Sequence, residues 1–180
     1  MASLVAAATE LFAARGPDGV SLREIAARAG LNYGLIHQYV GSKDELLRLV
    51  IARSTSTTAT RFAQAADVGE ALELLQGPVG VDRPAYPRLL AWAILQGRDP
   101  RELAGPSPAL PQLIAMLPEA GAPAPDLADD PRLRAAAVAA LTLGWSLFGS
   151  FVSHAAGLDD VAPAEAHTAV QSLARRIAGI

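Results

Sequence analysis

The chain has no cysteine, one lysine (Lys43) among its fifteen basic residues, and only 5% aromatic residues. Without cysteine there is no disulfide framework, no thiolate metal site and no cysteine nucleophile. The three histidines, His37, His154 and His167, are scattered, and His37 has no partner at metal-ligand spacing. No nucleophile–base pair or ligand cluster emerges, so no metal, no cofactor and no catalytic residue is expected, and the chain does not read as an enzyme. The scarcity of aromatics and of β-branched clusters also disfavours sheet. What remains is 51% hydrophobic and dominated by Ala and Leu, a composition suited to helices.

With 180 residues the chain can bury a real core, as one large domain or as a small one plus a larger one. The net charge of −3 is unevenly spread. Residues 1–53 carry six basic groups (Arg15, Arg23, Arg28, Lys43, Arg48, Arg53) against five acidic ones, or +1. The remainder carries nine arginines against thirteen acids, or −4. Any nucleic-acid affinity of the first third must therefore come from a few placed contacts rather than a basic field.

No basic segment precedes the first apolar helix, so a signal peptide is not expected and a cytoplasmic location is. Ala135 to Val152 is eighteen residues without a charge, at the lower limit for a membrane span. Its Ala, Gly and Ser content, with Thr142, Ser146 and Ser150 spaced by four, fits a helix inside a protein bundle better.

Apolar spacing predicts a first helix over 3–15, with Leu4, Ala7, Ala8, Leu11 and Phe12 on one stripe. Gly16-Pro17-Asp18-Gly19 ends it. Ser21-Leu22-Arg23-Glu24 has capping-box spacing and opens a second helix that stops at Gly30. Asn32 is suited to cap a short third helix reaching Tyr39. Ser42 and Glu45 repeat the capping box and open a long fourth helix to about Ala66, ~36 Å at ~1.5 Å per residue. Further helices are predicted over 68–76, 86–96, 109–117, 132–156 and 163–180. Eight prolines between Asp99 and Pro131 leave room there only for the short one. The last two carry apolar seams: Val138, Leu141, Trp145, Phe148 and Val152, then Ala166, Val170, Leu173, Ile177 and Ile180.

In the first third, Ile25, Ala26, Ala29, Leu31, Ile36 and Val40 are placed to lock two helices around Gly30. The third helix then presents Asn32, Tyr33, Gly34, His37 and Gln38. Glutamine pairs bidentately with adenine, tyrosine and histidine donate to phosphates or base edges, and Leu35 is suited to a thymine methyl. Tyr39 fits either the core or the contact face. Lys43, at a helix start, suits a phosphate.

The run from Ser21 to Val40, followed by Gly41-Ser42-Lys43-Asp44-Glu45-Leu46-Leu47, resembles the helix-turn-helix of the TetR family. Ile25-Ala26 before Ala29-Gly30, an apolar residue after the glycine, and Ser-Lys-x-x-Leu-Leu at the fourth helix carry the likeness. Two positions depart from the usual pattern: His37 where Tyr is usual, and Tyr33 where Lys is common. The basic arm that many members carry before the first helix is also not expected here. The resemblance implies an all-α protein with a three-helix DNA-binding domain at 1–46 (motif 21–40) and a ligand-binding and dimerisation domain at 47–180. It places the DNA contacts on Tyr33, Gly34, Leu35, His37, Gln38 and Tyr39, with Lys43 and Arg23 gripping phosphate.

The implied function is a ligand-responsive regulator, a repressor binding a palindromic double-stranded operator as a homodimer and released by a small hydrophobic effector. Candidate pocket residues are Phe62, Trp92, Gln96, Trp145, Phe148 and His154; aromatics at helical spacing also fit plain core. Candidate dimer residues are Ala140, Gly144, Leu147, Phe151, Val170, Leu173 and Ile177, unless these helices bury only against their own subunit. A different reading stays open: a degenerate ligand-binding or protein-interaction module without DNA binding.

Overall fold

Every regular element among the described residues is a helix. The computed structural model describes residues 1–76, 85–99, 109–118 and 126–180, and leaves out the side chains of residues 35, 37–39 and 76. Most of the proline-rich stretch between 99 and 131 lies outside them. In chain order the helices are α1 (Ala2–Arg15), α2 (Leu22–Ala29), α3 (Tyr33–Val40), α4 (Lys43–Gln64), α5 (Val68–Gln76), α6 (Ala85–Leu95), α7 (Ala109–Met116), the 3₁₀ turn η1 (Leu127–Asp129), α8 (Pro131–Ala155) and α9 (Pro163–Ala178). The local signals explain these bounds. Proline stands in the first turn of α8 and α9, where its missing N–H costs nothing, and Gly179 closes α9 in the left-handed conformation.

The chain divides into two compact units, with the boundary inside α4 between Ser56 and Thr57. The first unit holds Met1–Ser56 together with α6. Its core is made of large side chains: Leu4, Phe12, Ile25, Ile36, Leu46, Leu47, Val50, Ile51 and Leu89, with Ala8 and Ala93 filling between them. Most of the residues expected to lock the two helices around Gly30 behave so. Ile25, Ala26, Ile36 and Val40 are buried and Ala29 packs against them, but Leu31 is exposed. The presence of α6 in this core was not foreseen. Leu89 and Ala93 bury into it, and Trp92 packs at its edge beside Gly16.

The second unit holds the rest of α4 with α5, α7, η1, α8 and α9. Its core is dominated by small residues: Ala59, Ala71, Ala109, Ala135, Ala174 and Ala178, around Phe62, Leu72, Leu113 and Val138. Helices α8 and α9 pack as an antiparallel pair, because Arg134 near the start of α8 reaches the end of α9. Its guanidinium donates to the Ile177 carbonyl (3.1 Å) and to the Ala178 carbonyl, and also to Pro118 in the α7 exit (3.2 Å). A cation thus meets the carbonyls that the last turn of α9 leaves unpaired.

The seams of these two helices differ from expectation. On α8 the buried positions are Ala135, Val138, Thr142 and Gly149, while Phe148 is 57% exposed and Val152 also faces solvent. On α9 they are Ala166, Val170, Ala174 and Ala178, while Leu173 is 43% exposed and Ile180 is exposed too. Small residues let two helices approach closely, so the small-residue faces meet within the chain and the larger apolar side chains are left outside.

Candidate nucleic-acid interface

The interface begins with a cap. Ser21 Oγ accepts from the Glu24 backbone N–H at 3.2 Å, and Glu24 Oε2 accepts in return from the Ser21 N–H at 2.8 Å. Those two reciprocal bonds close the capping box and fix where α2 starts. Arg15 at the end of α1 donates to the other Glu24 oxygen at 2.9 Å. The Ser21 hydrogen bonds, reinforced by Arg15, hold the exposed Glu24 carboxyl down at about 2. A second pair, Arg28 to Glu10 at 2.7 Å, ties the other end of α2 to α1.

The turn to α3 needs a glycine. Gly30 has φ 68° and ψ 29°, the left-handed region that a side chain disfavours. The Leu31 N–H reaches back to the Ala26 carbonyl and the Gly30 N–H to Ala27, which together close α2 with its last carbonyls satisfied. Asn32 Oδ1 then accepts from the Gly34 N–H at 2.9 Å and starts α3. Ile36 and Val40 bury one side of that helix. By helix register, positions 34 and 38 fall on the opposite side.

Asn32, Tyr33 and Gly34 are exposed together at the N-terminal end of α3. Leu35, His37, Gln38 and Tyr39 lie on the same helix, and their side chains are outside the described set. Arg23, on the first turn of α2, stacks its guanidinium over the Tyr33 ring, 5.3 Å from the centroid.

Helix α4 opens with the second capping box. The Ser42 N–H donates to Glu45 Oε2 at 2.7 Å, and the Glu45 N–H donates to Ser42 Oγ at 3.1 Å. Gly41 at φ 69° is required twice over, since a Cβ there would also run into the Glu45 carboxylate. Lys43, half-buried at the start of α4, donates its ammonium to the Val20 carbonyl at 3.3 Å. The next residue, Asp44, accepts from Arg98 beyond α6 at 2.9 Å, and that hydrogen bond lowers its pKa. Arg98 in turn lies over the Trp92 ring, 5.5 Å from the centroid.

The arrangement is a set of donors and one exposed helix end on a braced three-helix scaffold, which can position side chains against phosphates and base edges. Sequence spacing located the caps and the exposed end. It missed the Arg23–Tyr33 stack, the Lys43–Val20 bond and the Asp44–Arg98 pair, each of which joins residues on different segments.

The six candidate pocket residues are divided between the units. Trp92 packs at the edge of the first core and Gln96 is exposed. Phe62 is buried in the second core, Trp145 is half-buried and sits over Gly149, and Phe148 is exposed. His154 is exposed, with Nδ1 2.9 Å from Asp159. Of the dimer candidates, Ala140, Phe151 and Leu173 are exposed and Gly144 and Leu147 half-buried. Val170 is buried and Ile177 packs against the chain's own core.

The family model for bacterial regulatory proteins of the tetR family matches residues 4–50, the stretch from α1 into α4. An HTH-type transcriptional regulator of Mycobacterium bovis is 33% identical over 176 residues, covering 98% of this chain and 87% of the relative. An HTH-type transcriptional repressor of Mycobacterium tuberculosis matches to the same extent, 33% over 176 residues with 98% and 87% covered. Among solved structures, a transcriptional regulator of Streptomyces coelicolor superposes with a TM-score of 0.67 at 22% identity, covering 97% of this chain and 96% of that one. A TetR-family regulator of Thermus thermophilus gives 0.60 at 16%, with 98% and 97% covered. At such identities the structural likeness is one of fold, whereas the mycobacterial relatives match by sequence along nearly the whole chain. The chain belongs to the TetR family of transcriptional regulators, DNA-binding proteins of the helix-turn-helix class.

Proposed function

We propose that this protein is a cytoplasmic repressor that binds a palindromic operator as a homodimer and is released by a small hydrophobic effector. Residues 1–46 form the reading head in this proposal, and residues 47–180 the body. The observation that carries it is the exposed N-terminal end of α3, presented by a helix-turn-helix whose caps and glycine turn are all in place. An N-terminal helix end reads base edges in the major groove, and two such heads related by a twofold read half-sites ~34–36 Å apart or a multiple of that. The M. tuberculosis relative, named a repressor, agrees with the direction of control.

The homodimer is supported by the outer face of α8 and α9. Phe148, Phe151, Val152 and Leu173 are all exposed on one chain, a concentration of large apolar side chains that soluble monomers avoid. Helix α8 is long and apolar enough to cross a membrane, with only 22% of its most apolar window buried. A second copy covering that face accounts for the same apolarity without a lipid phase. A hydrophobic effector fits the apolar second unit, where Gln112 Oε1 is buried with no hydrogen-bond partner among the described residues and would be satisfied by a donor on the bound molecule. Such a molecule releases DNA only by binding the released state more tightly than the DNA-competent one.

The test is fluorescence anisotropy of the purified chain at moderate salt on the duplex upstream of its own gene, against a shuffled duplex of equal composition. Preference for the native duplex, with two chains bound per site, is the expected result. Equal binding to both, or none, would leave the degenerate ligand-binding or protein-interaction module as the better reading, one consistent with the near-neutral charge of residues 1–53.

A further inference from the structure

The geometry points to Arg23 and Tyr33 acting as one recognition unit, in which Arg23 is a positioning residue that works on DNA through the Tyr33 ring rather than as an independent phosphate clamp. This rests on the proposed reading of α3 as the helix that meets DNA. Arg23 is the second residue of α2 and Tyr33 the first of α3, and the turn at Gly30 with the Ile25–Ile36 core fixes how the two helix starts face each other. The guanidinium carbon sits 5.3 Å from the ring centroid, within range of a cation–π contact.

The neighbouring charges leave Arg23 to that ring. Glu24, the nearest carboxylate in sequence, is held by Ser21 and Arg15. Arg15 and Arg28 each have a carboxylate partner, whereas Arg23 has neither ion pair nor hydrogen bond among the described residues. Tyr33 is an exposed aromatic whose direction is set by two torsions, and a flat contact with a cation adds to what biases it toward a single rotamer. The phenol is then held in place before DNA arrives, and the ordering cost of the contact falls. The cation serves this role through its charge over the ring, so lysine can replace arginine there and alanine cannot.

The experiment uses the full chain and an operator selected from a random duplex pool. In the DNA-free protein, the Arg23 side-chain protons are shifted upfield by the Tyr33 ring current, and Tyr33→Leu abolishes that shift. On the operator, Arg23→Ala weakens binding about two- to five-fold, in line with an exposed cation–π contact. Arg23→Lys restores most of the loss, and the salt dependence of binding keeps its slope. In the Tyr33→Leu background, Arg23→Ala changes nothing further. Additive losses in the double variant, a slope reduced by about one on Arg23→Ala, or no ring-current shift would each overturn the coupling. A wild-type chain that enriches no duplex would instead overturn the DNA-reading proposal and this inference with it, so the two failures are told apart.

Discussion

Both units bury a core, but the first leaves Leu31, Leu49, Ile94 and Leu95 exposed on three different segments, whereas the second leaves Phe148, Phe151, Val152 and Leu173 exposed along α8 and α9. In the first, Leu46, Leu47, Ile25 and Phe12 are all but inaccessible, while Asn32, Tyr33 and Gly34 are exposed at the start of α3. In the second, alanines fill the contact between α8 and α9, and Phe148 and Phe151, at 57% and 69% exposure, stay outside. Apolar residues exposed singly need no partner. A row of them along two helices offers a face to cover, and burial of a phenylalanine stabilises by roughly 1.5–3 kcal/mol. The contrast separates a first unit with scattered apolar exposure from a second whose exposed apolar residues on α8 and α9 are those the proposed dimer would cover.

Several substitutions would break or sharpen that contrast. The largest effect belongs to the closed core: Leu46→Ala is expected to lower stability by about 2–5 kcal/mol in a denaturant titration, whereas exposed Leu173→Ala changes the stability of a single chain by under about 0.5. Similar losses at both sites would erase the distinction between the units. Next comes the open face. Phe151→Glu puts a charge where a partner is proposed to sit, giving a monomer in sedimentation and operator affinity lower by about 100-fold or more, as the linked second half-site is lost. A Phe151→Glu protein that stays dimeric and binds normally would remove α8 from the interface.

Within the head the effects are smaller and differ in kind. Gln38→Ala is expected to cost about 1–3 kcal/mol at one base position and little elsewhere, read as relaxed preference in a mutated-operator panel. Lys43→Ala should weaken all duplexes alike and reduce the salt slope by about one. Because the Lys43 ammonium also bonds the Val20 carbonyl, its thermal stability should be followed in parallel.

The smallest effect is acid sensitivity at the cap. The Glu24 carboxyl is lowered from 4.5 to about 2 in the folded chain, so its contribution is fully present above 4.5 and is lost as pH falls towards about 2. Ser21→Ala removes the hydroxyl hydrogen bond that contributes to that lowering, and leaves the larger contribution from the Ser21 backbone N–H. It should cost about 1 kcal/mol at neutral pH and partly flatten the acid limb of a stability–pH curve. An unchanged limb would mean Glu24 is not the group that titrates.

What the sequence made legible is what physics keeps local. Capping boxes at Ser21–Glu24 and Ser42–Glu45 act over three residues, and a glycine ending α2 is needed at one position, so spacing alone located them. Helix limits followed from the same signals. The faces of α8 and α9 were less legible, since apolar residues run round more than one side of each helix. Periodicity there cannot say which stripe meets the chain's own core; close approach selected the small-residue one. Contacts such as Asp44–Arg98, 54 residues apart, leave no local trace at all. Nor did the helix period reveal that α6 completes the core of the first unit, because its apolar residues fit either unit equally well.

Selection of duplexes from a random pool by the purified protein, followed by sequencing, tests the central claim most directly. An enriched inverted repeat, its half-sites about one helical turn or a multiple apart, is the predicted outcome. A pool that stays random, or one that converges on a single unpaired site, would contradict a twofold protein reading DNA with α3.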